Sequence, residues 1–140
     1  MNKQNLTVSV AESCTGGFVS SCFTSISGSS HFFKGSMVVY SIQSKIKFLD
    51  LKEEYINQCG VVSEEVVIKM AQSIRKKHNT DFGLATTGYV DINKDAAKLQ
   101  AWICVDSLKN TQTQCIVLEQ SRLENIELVS SSLFKLFRKE

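Results

Sequence analysis

The sequence predicts an α/β fold: a single three-layer α/β/α domain with a mixed, mainly parallel sheet. Two observations support this class. Short β-branched segments alternate with longer segments whose apolar residues recur at helical spacing. The chain has 140 residues, near the commonest size for one domain, and contains no proline, repeat or low-complexity linker. We therefore expect residues 1–140 to form one domain.

The first half of the chain predicts two strand-to-helix units. Residues 7–10 alternate and predict a strand, which runs into a glycine turn and a helix beginning near Phe18. Residues 36–41 (SMVVYS) predict a second strand, and residues 44–49 begin a short helix. Ser63 followed by two glutamates is a helix N-cap signal, so the next helix is predicted over 64–78.

The second half predicts three strands and a closing helix. Residues 82–87 form the third strand, while 99–106 and 114–118 form a hairpin that turns near Asn110. Residues 122–138 are amphipathic and form the last helix. The order of the strands cannot be read from these patterns.

Composition excludes several classes of protein. Sixteen basic and fourteen acidic residues give a net charge of +2, which is too balanced to indicate nucleic-acid binding. No apolar run approaches the ~18 residues of a membrane span, and MNKQNLTVSV lacks the apolar core of a signal peptide. We therefore expect a cytoplasmic protein with no membrane partner. Five cysteines without a CxxC pair, and only two histidines, predict neither a metal site nor a cofactor.

Three polar loops follow predicted strands, where ligands collect in α/β folds. They are residues 12–17, 40–45 and 86–88. The first contains Gly16 and Gly17 and enters a helix, so its backbone N–H groups are available to an anion such as phosphate. It matches neither the Walker A pattern nor GxGxxG, and a plain turn with a helix cap explains it equally well.

A serine, a tyrosine and a lysine occur in the segment GSSHFFKGSMVVYSIQSK, residues 28–45. One of the hydroxyls of Ser29 and Ser30 is a candidate nucleophile and Lys45 a candidate base, because a desolvated lysine can activate a hydroxyl. Tyr40 can pass a proton or orient the lysine. The alternative is that Gly28 ends a helix and the serines are turn residues. Short-chain dehydrogenases use the same three residue types, but their Y-x-x-x-K spacing is one residue shorter, so that class is excluded.

Four segments together resemble one family. AESCTGG at 11–17, GSS at 28–30, VVYSIQSK at 38–45 and CGVVSEEVV at 59–67 are similar, in order and spacing, to the CinA C-terminal domain family, the nicotinamide mononucleotide amidohydrolases also called competence/damage-inducible protein CinA. Full-length members carry a further N-terminal domain, so the resemblance implies a stand-alone version. It also implies a homo-oligomer.

The resemblance implies hydrolysis of the carboxamide of nicotinamide mononucleotide to nicotinate mononucleotide and ammonia. The small-molecule nucleotide is then the partner, and no cofactor is needed. By position, the resemblance makes Ser30 the nucleophile, with Tyr40 and Lys45 activating it. It assigns substrate binding to Ser13, Thr15, Gly16, Gly17, Thr87, Gly88 and Arg122. Arg122 would hold the phosphate; alternatively it simply opens the last helix.

The segment 88–98 departs from the family pattern. The family has a loop resembling SGIAGPxGG and then KPVGTV, whereas this chain reads TTGYVDINKDAAKLQAWICV. Thr87 and Gly88 remain, but the loop is shorter, and Ile42 replaces the usual asparagine. The alternative hypothesis is therefore an altered or inactive member that binds another nucleotide-like ligand or a protein.

Overall fold

The computed structural model describes residues 5–91 and 98–140. Within them, the chain forms five strands and five α-helices, and a short 3₁₀ turn at Ser29–His31 precedes the second strand. In chain order the elements are β1 (Val8–Glu12), α1 (Phe18–Thr24), β2 (Phe33–Val38), α2 (Ile42–Leu49), α3 (Glu53–Cys59), α4 (Glu64–His78), β3 (Phe82–Tyr89), β4 (Gln100–Ser107), β5 (Thr111–Val117) and α5 (Arg122–Arg138).

The strands form one mixed sheet in the order β2-β1-β3-β4-β5. β1 pairs in parallel with both β2 and β3, while β3-β4 and β4-β5 are antiparallel. The predicted mixed sheet is confirmed. It is not mainly parallel as predicted, because the β3-β4-β5 part is antiparallel and gives two parallel and two antiparallel pairs. The hairpin of β4 and β5 is also confirmed, and it closes through Ser107 N–H donating to Asn110 O.

Helices cover both faces of the sheet, as the three-layer prediction requires. α1 and α5 cover one face, where Val10, Leu84 and Leu133 belong to one core cluster. α2, α3 and α4 cover the other face around Ala11, Ala85 and Met70. Successive strand residues point to opposite faces, which explains why neighbours such as Val10 and Ala11 belong to different clusters.

The observed boundaries differ from the predicted ones mainly near the second strand. β2 occupies Phe33–Val38 rather than 36–41, because the Val8 N–H of the neighbouring strand β1 donates to Phe32 O at the beginning of β2. α3 was missed, since its seven residues are too few to show a helical period. α4 and α5 have the predicted bounds, and α4 buries five apolar residues: Val66, Val67, Met70, Ala71 and Ile74.

One edge of the sheet collects the carboxyl ends of β1, β2 and β3. The chain leaves β1 for β2 on one side and later returns to β3 on the other side. Connections that diverge in this way open a crevice beyond the carboxyl ends of the strands, the usual ligand position in such sheets. Ser13 directly follows β1 there. Among the described residues, no helix has the length and apolar character needed to cross a membrane.

Candidate active site

Lys45 is a deeply buried charged side chain at this edge, with 1% of its surface exposed. It lies one turn into α2, whose start is fixed by reciprocal hydrogen bonds between Ser41 and Ser44. The amine nitrogen Nζ is 2.8 Å from Ser13 Oγ, 2.8 Å from Val39 O and 3.4 Å from Tyr40 O. Thus α2 carries a lysine into the crevice and points it at a serine hydroxyl.

Burial changes the acid-base behaviour of this lysine. Removal from water disfavours the charged ammonium and lowers the pKa of Lys45 from 10.5 to about 8, although the Cys14 thiolate form would oppose the shift. A lysine with a pKa near 8 has roughly a tenth of its molecules neutral at pH 7. Lys45 is therefore available as a proton acceptor under ordinary conditions.

Ser13 sits at the first residue of the turn between β1 and α1. Its backbone N–H donates to Thr86 O at 3.1 Å and lies 3.3 Å from Thr86 Oγ1, so the neighbouring strand β3 fixes it. The side chain is 6% exposed. A serine at a strand-to-helix turn is held in one orientation, as the nucleophile of many hydrolases is.

The glycine turn does not offer its N–H groups to an external anion. The N–H groups of residues 16–20 all find acceptors within the chain: Gly16 and Phe18 donate to carbonyls of the turn, and the other three donate to the Glu12 carboxylate. The sequence-based suggestion of an anion site at Gly16 and Gly17 is therefore corrected. Both glycines have positive φ, 58° and 106°, so they are needed for the shape of the turn. Thr15 is buried and likewise binds Glu12.

A cavity of about 210 Å³ opens above the Lys45–Ser13 pair. Of the predicted site residues, six line it: Ser13, Tyr40, Lys45, Thr87, Gly88 and Arg122. The Thr87 hydroxyl donates to Val61 O at 2.9 Å and ties β3 to the segment before α4. At Gly88 a side chain would clash with β4, because an added Cβ would lie 2.7 Å from Ala101 Cβ.

Tyr40 and Arg122 meet at the mouth of this cavity. Arg122 Nη2 donates to the Tyr40 hydroxyl at 2.9 Å, and Nη1 lies 3.7 Å from Asp91 Oδ2. Within the described residues, Tyr40 touches Lys45 through its backbone carbonyl, while its hydroxyl binds Arg122. The expected contact between the tyrosine hydroxyl and the lysine is therefore not found.

Ser30 lies elsewhere, which corrects the predicted pairing of Ser30 with Lys45. Ser30 is exposed in the 3₁₀ turn before β2, and its carbonyl accepts from Lys34. Lys45 follows β2, at the opposite end of a six-residue strand that spans about 20 Å. Their spacing in the sequence suggested that Ser30, Tyr40 and Lys45 act together. Strand β2 separates Ser30, which precedes it, from Tyr40 and Lys45, which follow it.

Several cavity residues were not among the sequence candidates. Cys14, Ile42, Val61, Val62, Tyr89, Val90 and Asp91 also line the cavity. Val61 and Val62 lie in segment 59–67, which resembles the family. Their apolar character alone could not predict that they line a cavity. Glu12 was missed because nothing in the sequence distinguishes a buried carboxylate from a solvated one.

A larger cleft of about 510 Å³ lies between α3 and α4. It is lined by lysines such as Lys69 and Lys76 on the outer side of α4. This cleft has more than twice the volume of the cavity at Ser13. Chemistry nevertheless favours the smaller cavity, because there a buried lysine with a lowered pKa contacts a hydroxyl.

The comparisons with known proteins agree with the fold. The sequence matches the CinA C-terminal domain family over residues 1–140. A CinA-like protein of Flavobacterium psychrophilum is 36% identical over 143 aligned residues, which cover 100% of this chain and 34% of that protein. Another, from Fervidobacterium nodosum, is 52% identical over 86 residues, which cover 61% of this chain and 21% of that protein. The chain thus spans about a third or less of the length of these curated relatives.

Solved structures show the same architecture. The competence damage-inducible protein A of Klebsiella pneumoniae superposes with a TM-score of 0.93 at 19% identity, over 99% of this chain and 88% of that one. A competence/damage-inducible protein of Agrobacterium tumefaciens gives a TM-score of 0.89 at 26% identity, over 97% and 86%. The family match covers the whole sequence and the fold agrees with it; this chain belongs to the CinA C-terminal domain family.

Proposed function

We propose that the chain is an amidohydrolase that converts nicotinamide mononucleotide to nicotinate mononucleotide and ammonia, with Ser13 as the nucleophile. One observation carries the proposal: the buried Lys45 amine lies 2.8 Å from the Ser13 hydroxyl at the floor of a cavity. A nucleophile and its base within hydrogen-bond reach are the minimum for covalent catalysis. Ser13 takes the role that sequence position had assigned to Ser30.

The surroundings of Lys45 suit a neutral amine. A neutral lysine has two N–H donors and one lone pair, whereas the ammonium has three donors. The two carbonyls, Val39 O and Tyr40 O, accept the two N–H groups. The lone pair is then directed at Ser13, whose hydroxyl becomes the donor. Deprotonation of Lys45 therefore reverses one hydrogen bond and prepares the serine for attack.

The reaction follows from this arrangement. Ser13 Oγ attacks the carboxamide carbon while its proton passes to Lys45 Nζ. The tetrahedral intermediate collapses, the C–N bond breaks, and the Lys45 ammonium protonates the departing ammonia. Water, deprotonated by the again neutral Lys45, hydrolyses the ester on Ser13. As the bond between the acyl carbon and Ser13 Oγ breaks, the Lys45 ammonium returns its proton to Ser13 Oγ. The products are the carboxylate, ammonia, one proton that the ammonia takes up to form ammonium, and the original enzyme, so atoms and protons balance.

Backbone N–H groups are the donors we assign to the oxyanion. Cys14 and Thr15 directly follow Ser13, and their N–H groups donate to no other residue in the described part of the chain. In hydrolases whose serine occupies a strand-to-helix turn, the N–H after the nucleophile serves this purpose. The buried turn holds these donors in place before substrate arrives.

The mouth of the cavity suits the phosphate end of a nucleotide. The cavity is smaller than the roughly 300–1,000 Å³ usual for whole ligands, so a nucleotide would place only its pyridine ring and part of its ribose inside. Arg122 is about half exposed at the mouth. Its guanidinium can bind phosphate oxygens in pairs, with the Tyr40 hydroxyl beside it.

A second candidate is a related pyridine compound without a phosphate. The observation in its favour is Asp91, whose carboxylate lies 3.7 Å from Arg122 Nη1 and repels an incoming anion. Asp91 belongs to the segment that departs from the family pattern. Residues 92–97 of that segment lie outside the described residues.

Ammonia release tests the proposal. Purified protein is incubated separately with nicotinamide mononucleotide, nicotinamide riboside, nicotinamide and glutamine, and ammonia is measured against a heat-denatured control. We expect release from the mononucleotide at a rate above the other three. Preference for the riboside would favour the second candidate, and release from none of the four would overturn the assignment as a nicotinamide amidohydrolase.

A further inference from the structure

Glu12 is a fully buried carboxylate beside the candidate site. Five donors surround it: Oε1 accepts from the Thr15 hydroxyl at 2.6 Å and from the N–H groups of Gly17 and Val19 at 3.2 and 2.9 Å. Oε2 accepts from the N–H of Ser20 at 2.9 Å and from the Ser20 hydroxyl. The carboxylate therefore occupies the position at the start of α1 that an external anion would otherwise take.

A chain of hydroxyl groups connects this carboxylate to Ser13. An ionised carboxylate can only accept, so the Thr15 hydroxyl must donate to Glu12. Thr15 Oγ1 is 2.9 Å from Thr86 Oγ1, and with its own proton used, it must accept the proton of Thr86. Thr86 Oγ1 then keeps its lone pairs for the backbone N–H of Ser13 at 3.3 Å. The negative charge of Glu12 therefore fixes which group donates and which accepts in each hydrogen bond of this hydroxyl series.

We propose that Glu12 is a positioning residue of the candidate site, whose carboxylate acts as a built-in anion that holds Ser13 against Lys45 through Thr15 and Thr86. The inference rests on the proposed catalytic roles of Ser13 and Lys45. A neutral amide at position 12 would present N–H groups to the Ser20 donors. It would also no longer fix which hydroxyl donates in the series from Thr86 through Thr15 to residue 12. Ser13 would then sample other orientations relative to the amine.

The chain offers a matched control in Asp106. This carboxylate is also buried, at 2% exposure, and binds Arg75 at 2.7 Å and the Thr111 hydroxyl at 2.6 Å. It pairs with Gly83 near the amino end of β3, at the opposite edge of the sheet from Ser13. Glu12→Gln and Asp106→Asn each remove one buried charge, but only the first lies beside the reacting groups.

The test measures Ser13 without using the nucleotide. Each folded protein is treated with a small fluorophosphonate, which phosphonylates activated serines with loss of fluoride. The rate of modification at Ser13 is followed by mass spectrometry. The variants are Glu12→Gln, Thr86→Val, which breaks the hydroxyl chain without touching Glu12, and Asp106→Asn; thermal unfolding is recorded for all. The Lys45 pKa is measured in parallel by NMR of the labelled side chain.

We expect labelling of Ser13 to slow by about 10- to 100-fold in Glu12→Gln and by about tenfold in Thr86→Val, as for other residues that orient reacting groups. Asp106→Asn should change the rate by less than about twofold, although it loses stability, because local positioning rather than stability is measured.

Unchanged labelling in folded Glu12→Gln and Thr86→Val, or a wild type that is not labelled at Ser13, would overturn the inference. Labelling of wild type without ammonia release would remove the nucleotide assignment and leave the positioning role standing.

Discussion

Lys45 Nζ and Ser13 Oγ lie 2.8 Å apart although 32 residues separate them in the sequence. Ser13 follows the interior strand β1, and Lys45 enters from α2 after the neighbouring strand β2. The parallel pairing of these strands places both residues at one edge of the sheet. Burial lowers the pKa of Lys45, so a larger fraction of this lysine is neutral and able to accept the Ser13 proton than for a lysine in water.

The rate of amide hydrolysis should rise with pH through the Lys45 pKa of about 8. The base acts only when neutral, so kcat/KM should fall about tenfold for each pH unit below that value. A profile of kcat/KM between pH 6 and 9.5 checks this expectation. A rate that is constant from pH 6 to 8 would show that Lys45 is not the base.

Lys45 also makes stability depend on pH. Its pKa is about 8 in the folded protein and 10.5 ordinarily, so between these values the unfolded chain binds more protons and stability rises with pH. The free energy of unfolding should therefore gain up to about 3 kcal/mol over this range, relative to Lys45→Met, which lacks the titrating group. Urea unfolding at pH 7 and pH 10 measures the difference.

The exposed Lys47 provides the control for that comparison, since it lies on the same helix. Lys47→Met should keep the pH dependence of the wild type. If Lys45→Met and wild type respond to pH identically, the lysine has an ordinary pKa in the folded protein.

Arg122→Gln should reduce the preference for phosphate-bearing substrates. A hydrogen bond to a charged group contributes about 1.5–3 kcal/mol, so the ratio of kcat/KM for nicotinamide mononucleotide to that for its riboside should fall by roughly 10- to 100-fold. Steady-state kinetics with both compounds measures the ratio. Arg138→Gln, at the other end of α5, should leave the ratio unchanged. An equal loss for both substrates would contradict a phosphate role.

Tyr40→Phe separates positioning from proton relay. The hydroxyl binds Arg122 and has no contact with the Lys45 amine in the described structure. We therefore expect KM to rise a few-fold, by about the worth of one hydrogen bond, with kcat nearly unchanged. A fall in kcat of two orders of magnitude would instead support the relay that the sequence suggested.

Much of the fold follows from local patterns, whereas the site depends on pairing between distant segments. The Ser63 cap and the apolar face of α4 are local features, and they predicted its bounds correctly. The hairpin of β4 and β5 is also local. By contrast, the strand order and the five-residue register of β1 on β2 decide which loop serine meets Lys45. The resemblance assigned the nucleophile to Ser30 by position, and the sequence contains no information about the register that brings Ser13 to Lys45 instead.

Glu12 shows the same limit in electrostatics. In the sequence, two glycines followed by a helix are compatible both with an open anion site and with a plain turn that caps the helix. The carboxylate folds back and takes the three N–H groups itself. A turn whose N–H groups bind a side chain of the same loop has the same sequence pattern as a turn whose N–H groups bind a ligand. Only the structure distinguishes the two.

The central claim is that Ser13, and not Ser30, is the nucleophile activated by Lys45. The most direct measurement compares ammonia release from nicotinamide mononucleotide by wild type, Ser13→Ala and Ser30→Ala, each shown to be folded by its thermal unfolding. We predict that Ser13→Ala loses at least about a thousandfold in kcat, as for other catalytic nucleophiles, while Ser30→Ala remains within about threefold of wild type. An active Ser13→Ala protein, or an inactive and folded Ser30→Ala protein, would contradict the account.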